Sequence, residues 1–220
     1  MNKSKKTKGF SRIKPLKDFS DLSFCFYVLG SNDLAYYDYD RAIRNLNKAI
    51  ELDSNYAEAY NMLGEAYLAK GENSKAGRFL KKAIKLDPED PDTYYNLGYF
   101  HLSKKQHEKS IECFKRAIHL NSKMANAYRG LVKVYSAIKQ YDDAINICEK
   151  AVKHNFHFAR EYERLGTIFS SIKEYDKAIL MYQKASKYFL KQSEYTFAYV
   201  AEGFMFSEIG KSNLLKDDFQ

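Results

Sequence analysis

Residues 57–90, AEAYNMLGEAYLAKGENSKAGRFLKKAIKLDPED, decide the fold because their pattern recurs every 34 residues along the chain. The fourth residue of each copy is aromatic: Phe26, Tyr60, Tyr94, Tyr128 and Tyr162. A leucine follows three residues later in every copy, and the next column reads Gly30, Gly64, Gly98, Val132 and Gly166. Near the end of each copy stands an alanine that recurs in all five, at Ala49, Ala83, Ala117, Ala151 and Ala185. Such self-similarity predicts a repeat architecture.

The spacing within each copy predicts a pair of helices. Aromatic, leucine and a third large residue at i, i+3 and i+7 form one helical stripe, and alanine, a large residue and alanine at i, i+4 and i+7 form a second. The middle residue of the second stripe is Leu46, Leu80, Phe114, Cys148 or Tyr182. Glycine costs ~1 kcal/mol in a helix interior, so its recurrence indicates close approach of the partner helix. Residues 69–72 and 103–106 separate helices, and Asp90 before Pro91 predicts an N-cap and a first helical position.

This pattern, aromatic-x2-Leu-Gly-x2-Tyr followed by Ala-x3-large and Pro, resembles the tetratricopeptide repeat. The resemblance covers residues 23–192 as five units, 23–56, 57–90, 91–124, 125–158 and 159–192. It implies an all-α fold, an α-solenoid of antiparallel helix pairs in a right-handed superhelix, with the first helices on the concave face. The departures are Asp33 for an aromatic residue, expected to distort the first unit, Val132 for glycine and Phe156 for proline. A pentatricopeptide RNA-binding array has a similar period but lacks these Leu-Gly and double-Ala columns.

Composition agrees with a helical chain that carries no cofactor. Only 10 glycines and 3 prolines occur among 220 residues, which favours long helices. The three cysteines, Cys25, Cys113 and Cys148, are too far apart for a disulfide framework or a Cys-x-x-Cys metal site. No apolar run approaches the ~20 residues of a membrane-spanning helix. The expectation is a reduced, cytoplasmic location without a metal.

Catalytic motifs are missing from the sequence as well. No phosphate-binding loop, dinucleotide-binding glycine motif or zinc-peptidase motif occurs. His101 stands in a packing column and His107 beside a hairpin turn, and the repeat places no third ligand or base near them. The chain is therefore expected to bind rather than to catalyse.

The positive charge is concentrated at the N-terminus. Residues 1–17 hold seven lysines and arginines and no acid, which leaves +1 of the total +8 for the rest of the chain. Residues 1–22 are predicted to form a disordered basic tail. Such a tail can bind nucleic acid, an anionic membrane surface or an acidic partner through counterion release, and a merely solvated extension is the alternative.

Residues 193–220 keep a helical pattern displaced by three residues from the repeat. They are predicted to form a C-terminal capping helix or a degenerate sixth unit. Apolar residues stand on more than one side of this segment, at Phe197, Tyr199, Phe204, Met205 and Phe206. Capping repeats normally present a polar outer face, so a homodimer through residues 193–220 is the competing hypothesis.

The resemblance places the solvent-facing positions of the first helices on the concave surface. The candidate partner-binding residues are Asn61, Glu65, Tyr95, Asn96, Tyr99, Arg129, Lys133, Arg160 and Arg164. Arg129 and Lys133 are one helical turn apart, as are Arg160 and Arg164, so stacked units set four cations side by side. Glu163 is the acid expected to neutralise part of this cluster. An anionic part of a peptide is expected at the cations, and the tyrosines are expected to grip the peptide by stacking.

A carboxylate clamp for chaperone tails is not complete in any three consecutive units. The clamp needs Lys and Asn on one first helix, Asn on the next, and Lys and Arg on the third, and every frame lacks members. The sequence therefore predicts a non-enzymatic scaffold or adaptor that holds a peptide or helical segment of another protein in its groove. The alternatives are a nucleic-acid-associated protein acting through the basic tail and a structural protein that self-assembles through its C-terminal cap.

Overall fold

A computed structural model describes residues 19–154 and 156–217, and every regular element in these residues is an α-helix. The helices are α1 (Phe19–Ala35), α2 (Tyr39–Leu52), α3 (Ala57–Ala69), α4 (Asn73–Leu86), α5 (Pro91–Ser103), α6 (His107–Leu120), α7 (Ala125–Ala137), α8 (Tyr141–Lys153), α9 (Ala159–Ser171), α10 (Tyr175–Lys191) and α11 (Tyr195–Asp217). The predicted all-α repeat fold is confirmed. Residues 1–18 of the predicted disordered tail 1–22 lie outside the described residues, and the prediction is wrong for residues 19–22, which form the start of α1.

The chain divides into two compact units at Asp87 and Pro88. The first contains the hairpins α1/α2 and α3/α4, and α3 also packs against α1 and α2. Its core holds Leu46 and Leu63 beside small residues such as Ala49 and Ala59, all fully buried. The small side chains allow the helices to approach closely while the leucines fill the space between them.

The second unit contains α5 to α11. Hairpins form between α5 and α6, α7 and α8, and α9 and α10, and α11 packs back against α10. The first helices of these hairpins also meet, since α7 packs against both α5 and α9. One continuous core runs through the unit and includes Phe114, Leu131, Tyr162 and Leu165. Within the described part of the chain, no helix has the length and apolar character needed to cross a membrane.

The glycine column lies at the closest approach of the paired helices, as predicted. A Cβ added at any of these glycines would come within 2.5–2.8 Å of the large residue sixteen positions later. The pairs are Gly30 with Leu46, Gly64 with Leu80, Gly98 with Phe114, and Gly166 with Tyr182. Real Cβ contacts are longer, so a side chain at these positions would force the facing side chain to shift. Gly130 adds a second contact of this kind, with Phe114 at 2.5 Å.

The fourth repeat exchanges the sizes of this pair. Val132 occupies the glycine column, and the residue sixteen positions later is Cys148 instead of leucine, phenylalanine or tyrosine. Both side chains are buried in the same core cluster. A small thiol opposite valine therefore replaces a large side chain opposite glycine, which keeps the filled volume similar. Burial also raises the pKa of the Cys148 thiol above its ordinary value.

The hairpin turns share one backbone feature. The breaks at residues 69–72 and 103–106 are confirmed, because α3 ends at Ala69 and α5 at Ser103. In each hairpin turn one residue has a positive φ, and these residues recur at the repeat interval: Tyr37, Gly71, Lys105, Lys139 and Lys173. Only one is glycine, so the other turns hold L-residues in the left-handed conformation that ends many helices.

The predicted cap at Asp90 is confirmed, and the expected distortion at Asp33 is not seen. The Asp90 carboxylate accepts from the backbone N–H of Asp92 at 3.1 Å and of Thr93 at 2.9 Å. α1 stays helical through Asp33, whose carboxylate accepts from Asn45 Nδ2 at 2.7 Å and lies 3.3 Å from Arg41 Nε. Polar contacts to α2 thus occupy the place where the pattern has an aromatic ring.

Candidate functional site

The first helices α5, α7 and α9 of the second unit enclose a cavity of about 330 Å³, which we call the groove cavity. Its lining residues are Tyr99, Arg129, Val132, Lys133, Ser136, Glu161, Arg164, Leu165 and Ile168. The half-buried Ile168 gives it an apolar floor together with the buried Val132 and Leu165, and the charged side chains stand around that floor. The cavity therefore offers both an apolar surface and cations.

Tyr99 forms one wall of the groove cavity and is held from several sides. Its ring meets Tyr95 edge-on at a centroid distance of 5.1 Å and Phe114 at 5.2 Å. Lys133 Nζ lies 5.3 Å from the Tyr99 ring centroid, a cation–π distance. Burial raises the pKa of the Tyr99 hydroxyl, and a hydrogen bond with Tyr95 opposes part of that rise. Tyr95 and Tyr99 are thus brought together, as a rigid aromatic wall.

Arg129 serves mainly as a link between α7 and the start of α9. Its Nε lies 3.2 Å from Oε1 of Glu161, and its Nη2 donates to the carbonyl of His157 at 2.9 Å. Nη1 donates to Asn126 at 3.1 Å, and the guanidinium lies over the Phe158 ring at 5.2 Å. The Glu161 side chain is only 8% exposed. Most donors of Arg129 therefore have partners inside the protein.

Lys133 and Arg164 are the cations of the groove cavity whose side chains form no hydrogen bond or ion pair with the described residues. Both side chains are exposed, and neither forms an ion pair with any residue that the structure describes. They lie on α7 and α9 respectively, on the rim of the apolar floor. Their N–H donors are therefore open to a ligand.

A second cavity, of about 380 Å³, adjoins the first at the start of α9 and shares Arg129, Glu161 and Arg164 with it. Arg160 joins the lining there, with its guanidinium carbon 4.4 Å from the centroid of the Phe197 ring of α11. The four predicted cations thus lie around two adjoining cavities. The acid that neutralises part of the cluster is Glu161 and not Glu163.

Two of the predicted groove residues do not face solvent. Asn61 is 7% exposed and Asn96 is 4% exposed. The expectation of a solvent-facing amide is wrong for both, because α3 packs against α1 as well as α4, and α5 packs against α7 as well as α6. Asn61 lies in the first unit together with Glu65, whose side chain is exposed. Asn96 lies beneath the surface of the second unit.

Sequence reasoning missed two residues of this site. Glu161 stands in a column that otherwise reads Cys25, Ala59, Thr93 and Ala127, so a charged residue in a column of small side chains was the available signal. Phe197 lies beyond the last regular repeat, where the interval of 34 residues no longer predicts a neighbour. The described residues contain no group of three His, Cys, Asp or Glu side chains that could hold a metal ion.

Comparison with known proteins supports this architecture. Tetratricopeptide repeat models match residues 33–97, 91–124 and 159–190. The solved structure of MamA has 30% sequence identity to this chain. Its match covers 76% of this chain and 98% of the MamA chain, with a TM-score of 0.63. Searching the curated proteins gives no match.

More distant structures share the fold alone. YrrB, described as a TPR protein with an unusual peptide-binding site, is 22% identical, with coverage of 82% and 92% and a TM-score of 0.59. PilF of Pseudomonas aeruginosa is 18% identical, with coverage of 90% and 93% and a TM-score of 0.67. The repeat columns, the helix pairs, the family models and the MamA relationship agree, and the chain belongs to the tetratricopeptide repeat family.

Proposed function

We propose that the chain is a protein-interaction scaffold whose groove cavity binds an acidic peptide segment of another protein. The observation that carries the proposal is the pair Lys133 and Arg164, two exposed cations without ion pairs in the described residues, beside an apolar floor. Cations crowded together repel one another in the free protein. A ligand that bears a carboxylate reduces that repulsion and accepts hydrogen bonds from the N–H groups of both side chains.

The rest of the groove cavity specifies what accompanies the acid. The half-buried Ile168, beside the buried Val132 and Leu165, favours an apolar side chain of the ligand, which leaves water on binding. Tyr99 is already fixed by Tyr95 and Phe114, so little side-chain freedom is lost when a ligand contacts it. The peptide that fits best has a large apolar residue next to aspartate or glutamate. The peptide-binding site described for YrrB supports the idea that this fold can serve such a role.

A peptide-display selection tests the proposal without a known partner. A random peptide library is selected against the wild type, against Lys133→Glu/Arg164→Glu, and against Lys139→Glu as a control at an exposed turn outside the cavity. The wild type and the control are expected to enrich peptides in which an acidic residue adjoins an apolar one. The double variant is expected to lose these peptides, and a selected peptide should bind it at least about tenfold more weakly.

Arg129 is left unchanged in this design, because its replacement would expose the buried Glu161 carboxylate and disturb the fold. Equal enrichment of the same acidic peptides by the double variant would show that the groove cavity is not their site. Enrichment of peptides without acidic residues by the wild type would contradict the proposed ligand chemistry. Residues 1–17 lie outside the described residues, so nucleic acid as a ligand of the basic tail stays a prediction.

A further inference from the structure

Two glycines of α11 differ from the glycines of the repeat helices. A Cβ added at Gly203 or Gly210 would meet no atom within 4 Å, whereas the four repeat glycines each receive a large side chain. Glycine weakens a helix interior, and at these two positions the described residues supply no intramolecular contact that needs it. The open space above both glycines is therefore free to receive a side chain of another helix.

The surroundings of Gly203 reproduce a repeat motif whose partner helix is known. Tyr199, Gly203 and Phe206 have the spacing of Tyr60, Gly64 and Tyr67 in α3. In α3 this face is covered by α4, because Gly64 receives Leu80 and Tyr67 stacks on Phe79 at 5.4 Å. In α11 the same face is open, with Tyr199 68% exposed and Phe206 65% exposed.

The open face continues as a stripe along α11 on the side opposite its packed face. The packed face holds Ala198, Ala201, Glu208 and Ser212, which are buried. The stripe holds Thr196, Tyr199, Gly203, Phe206, Gly210 and Asn213, which are all exposed and alternate three and four residues apart. Residues at the contact positions of a coiled coil have the same spacing, and there the side chains of one helix enter holes between side chains of the other.

We propose that a second copy of this chain covers the stripe, through an antiparallel pairing of the two α11 helices. If Phe206 of one copy faces Gly203 of the other, the same register sets Tyr199 against Gly210 and Thr196 against Asn213. Every aromatic side chain then enters the space above a glycine of the second copy. The flanking residues Tyr195 and Leu214, 57% and 67% exposed, oppose each other in this register. The stripe is complementary to itself, which is the property that a twofold interface requires.

Exchanging the large and the small residue tests the pairing in the full chain. The mass in solution is measured as a function of concentration by analytical ultracentrifugation. The wild type is expected to pass from monomer to dimer. Gly203→Phe places two phenylalanines opposite each other and Phe206→Gly places two glycines opposite each other, so each is expected to weaken self-association by about tenfold or more. The double variant Gly203→Phe/Phe206→Gly restores complementarity and is expected to recover the dimer.

Two further variants separate the interface from folding. Gly203→Ala has room for its Cβ within one chain, so it is expected to keep or raise helix content while weakening the dimer. Phe24→Ala removes an aromatic side chain that is 56% exposed on α1, outside the stripe, and is expected to leave the dimer unchanged. A monomer at all concentrations, a dimer insensitive to Gly203→Phe, or a double variant that does not recover would overturn the proposal.

Discussion

Replacing Arg129 with alanine is expected to lower the free energy of unfolding by about 3 kcal/mol. The substitution leaves the Glu161 carboxylate, which is 8% exposed, without the cation 3.2 Å away. Removing one member of a buried ion pair costs ~3–5 kcal/mol, and the lower end applies because the Arg129 side chain keeps 38% exposure. The bond from Nη2 to the His157 carbonyl is lost at the same time.

The companion variants show whether the loss comes from the stranded carboxylate. Glu161→Ala is expected to cost much less, because the equivalent positions in two other repeats hold the buried alanines Ala59 and Ala127. Arg129→Ala/Glu161→Ala should therefore recover most of the loss. Urea unfolding followed by circular dichroism gives the free energies, and hydrogen exchange of α9 detects local opening, since repeats can unfold separately. A loss below about 0.5 kcal/mol for Arg129→Ala, or a double variant whose loss equals the sum of the two single losses, would show that Glu161 is not stranded by the substitution.

Three other substitutions test the packing and the turns. Gly64→Ala adds a Cβ 2.5 Å from its second-helix neighbour, so the overpacking cost of ~1–3 kcal/mol should outweigh the helix-propensity gain; a raised unfolding midpoint would contradict this. Cys148→Leu should lower the free energy of unfolding by a similar ~1–3 kcal/mol. Val132→Gly/Cys148→Leu should restore stability, because it recreates the glycine and large residue of the other repeats. Additive losses for the double variant in urea unfolding would contradict this compensation. Lys139→Gly should stabilise the protein by about 0.5–1 kcal/mol, because φ is 62° at this position. Gln140→Gly, where φ is −86°, should not stabilise it. A higher thermal unfolding midpoint for Gln140→Gly than for Lys139→Gly would show that the turn is unstrained.

The features that the sequence predicts well are local and periodic. The glycine column, the helix breaks and the Asp90 cap depend on neighbours sixteen residues away or fewer, and each recurs or carries its own turn chemistry. Several aligned columns therefore report the same contact. Val132 and Cys148 show the limit of reading one column alone, since their compensation becomes visible only when the two columns are compared.

The errors concern contacts between successive repeats. An interval of 34 residues pairs Arg129 with Glu163, yet Arg129 reaches Glu161. Helical side chains point toward the N-terminus of their helix, so a long side chain meets the next helix earlier than the interval indicates. The resemblance places Asn61 and Asn96 among the solvent-facing positions of the first helices, yet both are buried in helices that also pack against a neighbouring first helix.

Photo-crosslinking tests most directly whether the groove cavity is the binding site. A photoreactive phenylalanine analogue replaces Ser136, which lines the groove cavity, or Ser122, an exposed residue in the turn between α6 and α7. Each protein is irradiated with a labelled acidic peptide from the display selection. A crosslink is expected at position 136, where Lys133→Glu/Arg164→Glu should abolish it, and none is expected at position 122. Binding of the peptide with no crosslink at 136, or with one that survives the charge reversal, would contradict it.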